Sequence, residues 1–327
     1  MKNSKTLAER IIAGDKQALA KAITLVESKK AADQEEARTL VETLLPRAGK
    51  SIRIGISGSP GVGKSSFIER FGTRQLSLGR KIAILAIDPS SQKTSGSILG
   101  DKTRMPTLSV SQNVFIRPSP AGESLGGVAQ KTRENILLCE AAGFDLIIVE
   151  TVGVGQSETL VSSMVDVMAL LQLPNAGDDI QGIKKGILET SDILVITKND
   201  GSNEQAALKA KTDHMFAISL TPSHSTWKQP IVLVSSIRDT GFNDFDAAVS
   251  QFLEHQRADG KFEAKRSQQN IEWIDRVLND LIQQKLSQLD PLAKRIAEEK
   301  QSIADGRRNA LAAAHEIYAH LDFRWKP

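Results

Sequence analysis

The sequence predicts an α/β fold: a mostly parallel sheet covered on both faces by helices, with helical extensions at the two ends of the chain. Two observations carry this expectation. Between Ser51 and about residue 262, short apolar runs alternate with helical stretches, the signature of strands joined by crossover helices. Directly after the first run stands Gly58-Ser59-Pro60-Gly61-Val62-Gly63-Lys64-Ser65, which satisfies G-x-x-x-x-G-K-[ST] and marks a phosphate-binding loop between a strand and a helix.

The elements follow in order. In residues 1–48, Leu7, Ile11, Ile12, Leu19, Ile23 and Val26 recur at helical spacing, and Ala37, Leu40, Val41, Leu44 and Leu45 repeat it. Pro46 and Gly49 close the segment, so 1–50 reads as an N-terminal helical part. The expected strands are Ile52–Ile56, Lys81–Ile87, Asp145–Val149, Met168–Leu173, Ile193–Thr197 and Ile231–Val234, which makes 51–262 the sheet domain. Beyond it strand signals stop. Ile271, Ile274, Leu278, Leu281, Ile282 and Leu286 form a stripe on one long helix, and a second helical stretch follows Pro291, so 263–327 reads as a C-terminal helical dimerisation segment, with packing of the stripe on its own domain as the equal alternative.

Composition narrows the classes. Hydrophobic residues are 40% and charged residues 25% of 327, ordinary globular usage that excludes fibrous and disordered chains. Forty-two basic against 39 acidic residues, with no basic tract, gives nucleic-acid binding no support. The single Cys139, inside an apolar run, excludes a disulfide framework and a zinc module. Nowhere do eighteen apolar residues run together, and residues 1–30 hold no apolar signal core, so the expectation is a cytoplasmic protein that neither spans nor binds a membrane.

The glycine-rich loop specifies a chemistry. Its backbone N–H groups turn inward on phosphate oxygens, Lys64 supplies charge to the β- and γ-phosphates, and the Ser65 hydroxyl is a ligand for Mg²⁺ at a helix start. Ser57 and Ser66 flank the loop and complete the phosphate-binding stretch. Asp145-Leu146-Ile147-Ile148-Val149-Glu150-Thr151-Val152-Gly153 is a buried strand ending in a carboxylate, so Glu150 is a candidate Mg²⁺ ligand where Asp is usual, and Gly153 a candidate backbone contact to the γ-phosphate. Val154 follows it rather than a glutamine, so slow intrinsic hydrolysis is expected. A second strand ends at Asp88. The charged, glycine-punctuated loop beyond it contains Asp101, and both aspartates are candidates for positioning metal or water.

Thr197-Lys198-Asn199-Asp200 stands against the N-K-x-D pattern that reads guanine. The Asp200 carboxylate accepts from guanine N1–H and the exocyclic amine, whereas adenine presents an acceptor there. Lys198 can lie along the ring. Ser235-Ser236-Ile237, one strand later, offers backbone to guanine O6. Thr197 replaces the usual Asn and lacks its amide, so a weaker hold on the base is expected. GTP and GDP are the expected ligands.

With these elements in place the chain resembles the accessory GTPases of adenosylcobalamin-dependent methylmalonyl-CoA mutase. The resemblance is carried by Asp88-Pro89-Ser90-Ser91, Gly96-Ser97-Ile98-Leu99-Gly100-Asp101-Lys102-Thr103-Arg104-Met105, Arg117-Pro118-Ser119-Pro120, Gly126-Gly127-Val128-Ala129, Glu150 through Glu158, and Gln181-Gly182-Ile183-Lys184-Lys185-Gly186. It implies a P-loop GTPase domain in a homodimer. It also implies a mutase partner whose cofactor loading, replacement and protection the protein assists. Residues 174–186 would be a further switch toward that partner.

Three other readings bear on the same residues. A kinase would prefer ATP, against Asp200, and needs a base beside an acceptor hydroxyl that the sequence does not mark. A metallochaperone GTPase needs a Cys/His metal site that one cysteine and five histidines barely permit. A nucleotide sensor that does not hydrolyse is compatible with Val154.

Overall fold

Seven strands form one sheet in which every pairing is parallel: β1 (Ile52–Gly58), β2 (Ile82–Asp88), β3 (Val114–Pro120), β4 (Leu146–Thr151), β5 (Val167–Gln172), β6 (Ile193–Ile196) and β7 (Ile231–Leu233), in the order β3-β2-β4-β1-β5-β6-β7. The computed structural model describes residues 2–28, 30–88, 104–120, 125–151, 157–175, 190–220, 226–288 and 290–319. β4, β5 and β6 are buried at every position, which is why they read as continuous rather than alternating apolar runs, broken only by Glu150-Thr151 and Gln172 at the ends of β4 and β5. The fold class is α/β, as expected.

One sheet face is covered by α4 (Lys64–Ser77) and α9 (Phe242–Ala258). Phe67 and Phe71 of α4 meet Phe245 of α9 edge-on at 5.0 and 5.1 Å between ring centres, over Ile54, Ile56, Ile84 and Ile148 of the sheet. The short α5 (Pro106–Val110) is keyed into α4: Leu108 lies where a β-carbon on Gly72 would come within 2.8 Å of it.

The opposite face carries α6 (Leu125–Ala141) and α7 (Ser157–Ser162), with α8 (Glu204–Leu220) over β6 and β7. The N-terminal helices α1 (Lys2–Ile12), α2 (Lys16–Glu27) and α3 (Ala31–Leu44) share this core. Leu19, Ile23, Val26 and Leu40 are fully buried in one cluster with Ala83, Leu85, Ile147 and Val149 of the sheet.

Several boundaries differ from the sequence reading. β3 is a strand that periodicity did not reveal, because Pro118 and Pro120 interrupt its run. Among the described residues it is an edge strand that pairs with β2 alone, a place where proline is tolerated. α4 begins at Lys64 rather than near Ser66, and β1 continues through Gly58. The last helical stretch is two helices, α11 (Asp290–Ala304) and α12 (Ala310–Ala319), broken at Gly306, whose φ is 69°.

The chain divides into two compact units, Met1–Asn270 and Ile271–Pro327, and the long helix α10 (Lys261–Gln288) begins in the first. Within the first unit, Arg266 forks onto Asp166 at 2.8 and 2.7 Å and donates to the carbonyls of Gly49 and Ser51. Next to it, Arg53 forks onto Glu140 at 2.8 and 2.9 Å. Within the second unit, Arg308 bridges Glu299 of α11 and Glu316 of α12.

Candidate functional site

Parallel strands send their carboxyl ends to one side of the sheet, and the candidate residues follow β1, β2, β4, β6 and β7 on that side. The loop after β1 turns sharply. Gly58 has φ 157°, and a β-carbon there would come within 2.6 Å of the Leu171 carbonyl of β5. Val62 is fully buried in the core under the loop, so the loop is pinned at its middle while Pro60 and Gly61 stay exposed.

Gly63 caps α4 in the left-handed region (φ 97°), and no side chain caps the helix there. Nor is there an acidic residue in the first turn. The N–H groups at the start of α4, where Lys64, Ser65 and Ser66 lie, thus face an anion site with the helix dipole behind them. The Lys64 ammonium donates to the carbonyls of Gly58 (2.6 Å) and Ser59 (3.2 Å), folded over its own loop and 9% exposed. The candidate anion site thus has a preorganised cation beside it.

Ser57 is fully buried, and its hydroxyl accepts from Thr151 at 2.9 Å. Its side chain therefore joins β1 to β4 inside the sheet, not at the loop surface. Glu150 lies on β4 opposite Ile56 of β1 and Ala86 of β2, 5% exposed, one residue before the strand ends. Asp88 ends β2, beside Pro120 of β3. Asp101, Gly153, Val154 and the 176–186 part of the expected switch lie outside the described residues.

For Mg²⁺ the donor chemistry fits. The Ser65 hydroxyl and Glu150 carboxylate are hard oxygen donors, of the kind Mg²⁺ takes in ones and twos beside phosphate oxygens and water. Among the described residues no group of three or more His, Cys, Asp or Glu forms an all-protein metal cage. Cys139 is fully buried, and burial pushes its thiol far above the ordinary range, so it is no nucleophile.

On the base side, Thr197 is 3% exposed, and its hydroxyl donates to the Val62 carbonyl at 2.7 Å with the Gln172 carbonyl at 3.1 Å. Although Thr197 lacks the amide of the usual Asn, its hydroxyl makes a bridge to the loop after β1, because β6 and β1 both flank β5. Lys198 is exposed in the left-handed region (φ 54°), and the Asn199 N–H bonds the Val234 carbonyl. The Ser235 hydroxyl donates to Asp200 Oδ2 and accepts from the Arg238 N–H at 3.0 Å. Ser236 is half-buried and Ile237 is 80% exposed beside them.

A family model described as methylmalonyl Co-A mutase-associated GTPase MeaB matches residues 19–290. The chain belongs to this family. Among its relatives, a protein named GTPase ArgK from Escherichia coli (strain K12) is 43% identical over 292 residues, covering 86% of this chain and 88% of that protein. The mouse protein named methylmalonic aciduria type A homolog, mitochondrial, is 42% identical over 275 residues, 81% of this chain and 66% of that one. A solved structure titled LAO/AO transport system kinase superposes with a TM-score of 0.77 at 31% identity, over 98% of this chain and 97% of that one.

Sequence reasoning did not single out Thr151 or Arg70, whose Nε donates to the Ser236 carbonyl at 2.8 Å. Thr151 sits in an apolar run and reads as filler. Arg70 reads as a solvated charge on the outside of a helix. No helix among the described residues is long and apolar enough to cross a membrane.

Proposed function

We propose that the protein hydrolyses GTP to GDP and phosphate, and that it serves an adenosylcobalamin-dependent methylmalonyl-CoA mutase by assisting the loading, replacement and protection of that enzyme's cofactor. The observation that carries the guanine reading is the Asp200 carboxylate held by Ser235, on a loop tied through Thr197 to the phosphate loop at Val62. One carboxylate oxygen is engaged by the hydroxyl. The other is left for the N1–H and amine edge of guanine, which adenine lacks.

At the other end of the nucleotide, the loop from Gly58 to Gly63 wraps the phosphates, and Lys64 leaves its own carbonyls to meet the reacting phosphoryl group. Mg²⁺, held by Ser65 and Glu150 with Asp88 and Asp101 as further candidates, would neutralise charge on the phosphate oxygens. Val154 after Gly153 leaves no glutamine to orient the attacking water, which supports slow hydrolysis without a partner.

The mutase as partner rests on family membership and on the names of relatives such as the mouse protein. Dimerisation through the 263–327 segment is supported by Ile271, Ile274, Leu278 and Leu281 of α10, each 54–66% exposed. A cytoplasmic site of action belongs to the same reading, since a lone buried cysteine suits a reducing compartment.

The test has two arms. Hydrolysis of GTP and ATP is compared for the unmodified chain and Lys64→Ala, with thermal unfolding of both. Full activity in a folded Lys64→Ala variant removes the phosphate-site assignment, and equal use of ATP and GTP points to a kinase. Capture from extract with GTP, GDP or no nucleotide then identifies the bound protein. Absence of any acyl-CoA mutase from all three removes the partner.

A further inference from the structure

We infer that Arg70 and Arg74 are positioning residues that hold the base-recognition turn in place from the back of the phosphate-binding helix. This rests on the guanine reading above. The two arginines lie one helical turn apart on α4, whose start forms the phosphate site. Arg70 donates from Nε to the Ser236 carbonyl at 2.8 Å. Arg74 spreads its guanidinium over two partners, Asp239 at 3.3 Å and the Asn243 side-chain oxygen. Beneath them Gln75, fully buried, donates to Asp246 at 2.6 Å. One helix thus grips the start of the turn, its far side and the first turn of α9.

The turn needs such a grip. Residues 236–239 are half-buried or exposed, and the turn closes on itself through the paired backbone bonds of Ser235 and Thr240 and the bond from Arg238 N–H to Ser235 Oγ. Asp239 sits at φ 54°, a conformation uncommon for a non-glycine residue. Its side chain is one of the two that Arg74 holds. Ser235, next to Ser236, is what orients Asp200. The contacts therefore run Arg70 to Ser236, Ser235 to Asp200, and any drift of the turn moves the carboxylate that distinguishes guanine.

Exposed arginine contacts of this kind add little to folding stability. Nucleotide selectivity is the quantity they act on. The experiment measures KM and kcat for GTP and ATP, the dissociation of fluorescent GDP, and thermal unfolding, in the full chain and in Arg70→Met, Arg74→Met and the double variant. Each single change is expected to lower the preference for GTP over ATP severalfold, and the double change about tenfold, through KM and faster GDP release, at nearly unchanged unfolding temperature. Arg70→Lys, which keeps a donor for the Ser236 carbonyl, recovers most of the preference.

A GTP/ATP ratio unchanged in the double variant overturns the inference, as does an equal loss for both nucleotides. If Arg74→Met does not fold, Asn243→Ala removes part of the same contact from the other side, and the same ratio decides. No preference for GTP in the unmodified chain is a different outcome. It removes the guanine reading itself and is seen before any variant is made.

Discussion

The Thr197 hydroxyl donates to the Val62 carbonyl at 2.7 Å across 135 positions of sequence, making the base loop and the phosphate loop one piece. The Thr197 N–H, meanwhile, bonds the Gln172 carbonyl at 2.9 Å, so the residue is held by β5 while it holds the loop after β1. Val62 is buried and cannot follow a displaced loop without leaving the core. The geometry of the proposed phosphate site is therefore coupled to that of the proposed base site.

Thr197→Val tests this coupling. The shapes match closely, but the donor is lost and the Val62 carbonyl is left without it in a buried place, at a cost of about 1–2 kcal/mol. We expect GDP to dissociate about tenfold faster and the unfolding temperature to fall by a few degrees. Thr197→Ser keeps the hydroxyl and should retain most of the affinity. Unchanged GDP release from Thr197→Val would show that the two loops act independently.

Asp200→Asn should turn preference from guanine to xanthine nucleotides. The Ser235 hydroxyl donates to Asp200 Oδ2, so in the variant it selects the amide oxygen for that position and directs the amide nitrogen toward the base. An amide N–H there opposes the guanine amine but donates to the carbonyl that xanthine carries in its place. Competition against fluorescent GDP should show GTP weakened on the order of a hundredfold and xanthosine triphosphate strengthened. Loss of both nucleotides together would mean that the residue shapes the loop rather than reads the base.

How far the site was legible depends on the range of the contacts that make it. The phosphate loop was readable because its demands are local: Gly58 and Gly63 hold backbone angles that other residues rarely adopt, Gly58 also needs the space of a missing β-carbon, and Lys64 and Ser65 stand beside them. The α/β class was readable because strands buried on both faces, such as β4 and β5, run apolar without alternation until their last residues, Glu150-Thr151 and Gln172. β3 was hidden by Pro118 and Pro120, since only its place at the sheet edge makes prolines acceptable. The roles of Thr197 and Arg70 were illegible for another reason. Their partners, Val62 and Ser236, are fixed by sheet order and helix packing, which a local pattern does not encode.

Arg266→Met should destabilise the fold by about 3 kcal/mol, in the range for removing one member of a buried pair. Asp166 has a side chain 2% exposed and accepts two bonds from Arg266, so the change leaves a carboxylate whose remaining donor is the Arg53 N–H. The carbonyls of Gly49 and Ser51 lose a donor as well. Urea unfolding followed by circular dichroism measures the difference. A loss below about 1 kcal/mol would place the pair with ordinary surface ion pairs.

The last prediction concerns the stripe on α10. Ile271, Ile274, Leu278 and Leu281 are 56%, 66%, 54% and 54% exposed, with Ile282 beside them at 40%. Scattered apolar residues on a surface need no explanation, but these fall on successive turns of one helix. Covering the exposed parts of four such side chains on each of two protomers, at about 1 kcal/mol apiece, contributes roughly 8 kcal/mol, the same order as the roughly 4–15 kcal/mol that association costs in lost freedom, so the stripe carries a dimer together with the contacts around it. Light scattering at tens of micromolar is expected to give a mass twice the 35.5 kDa of one chain. Ile274→Glu with Leu278→Glu puts two carboxylates a turn apart on the stripe, harmless in water and costly if covered. The variant should be a folded monomer of unchanged helicity. A monomeric unmodified chain would remove the dimer altogether, and a variant that stays dimeric would move the interface off α10.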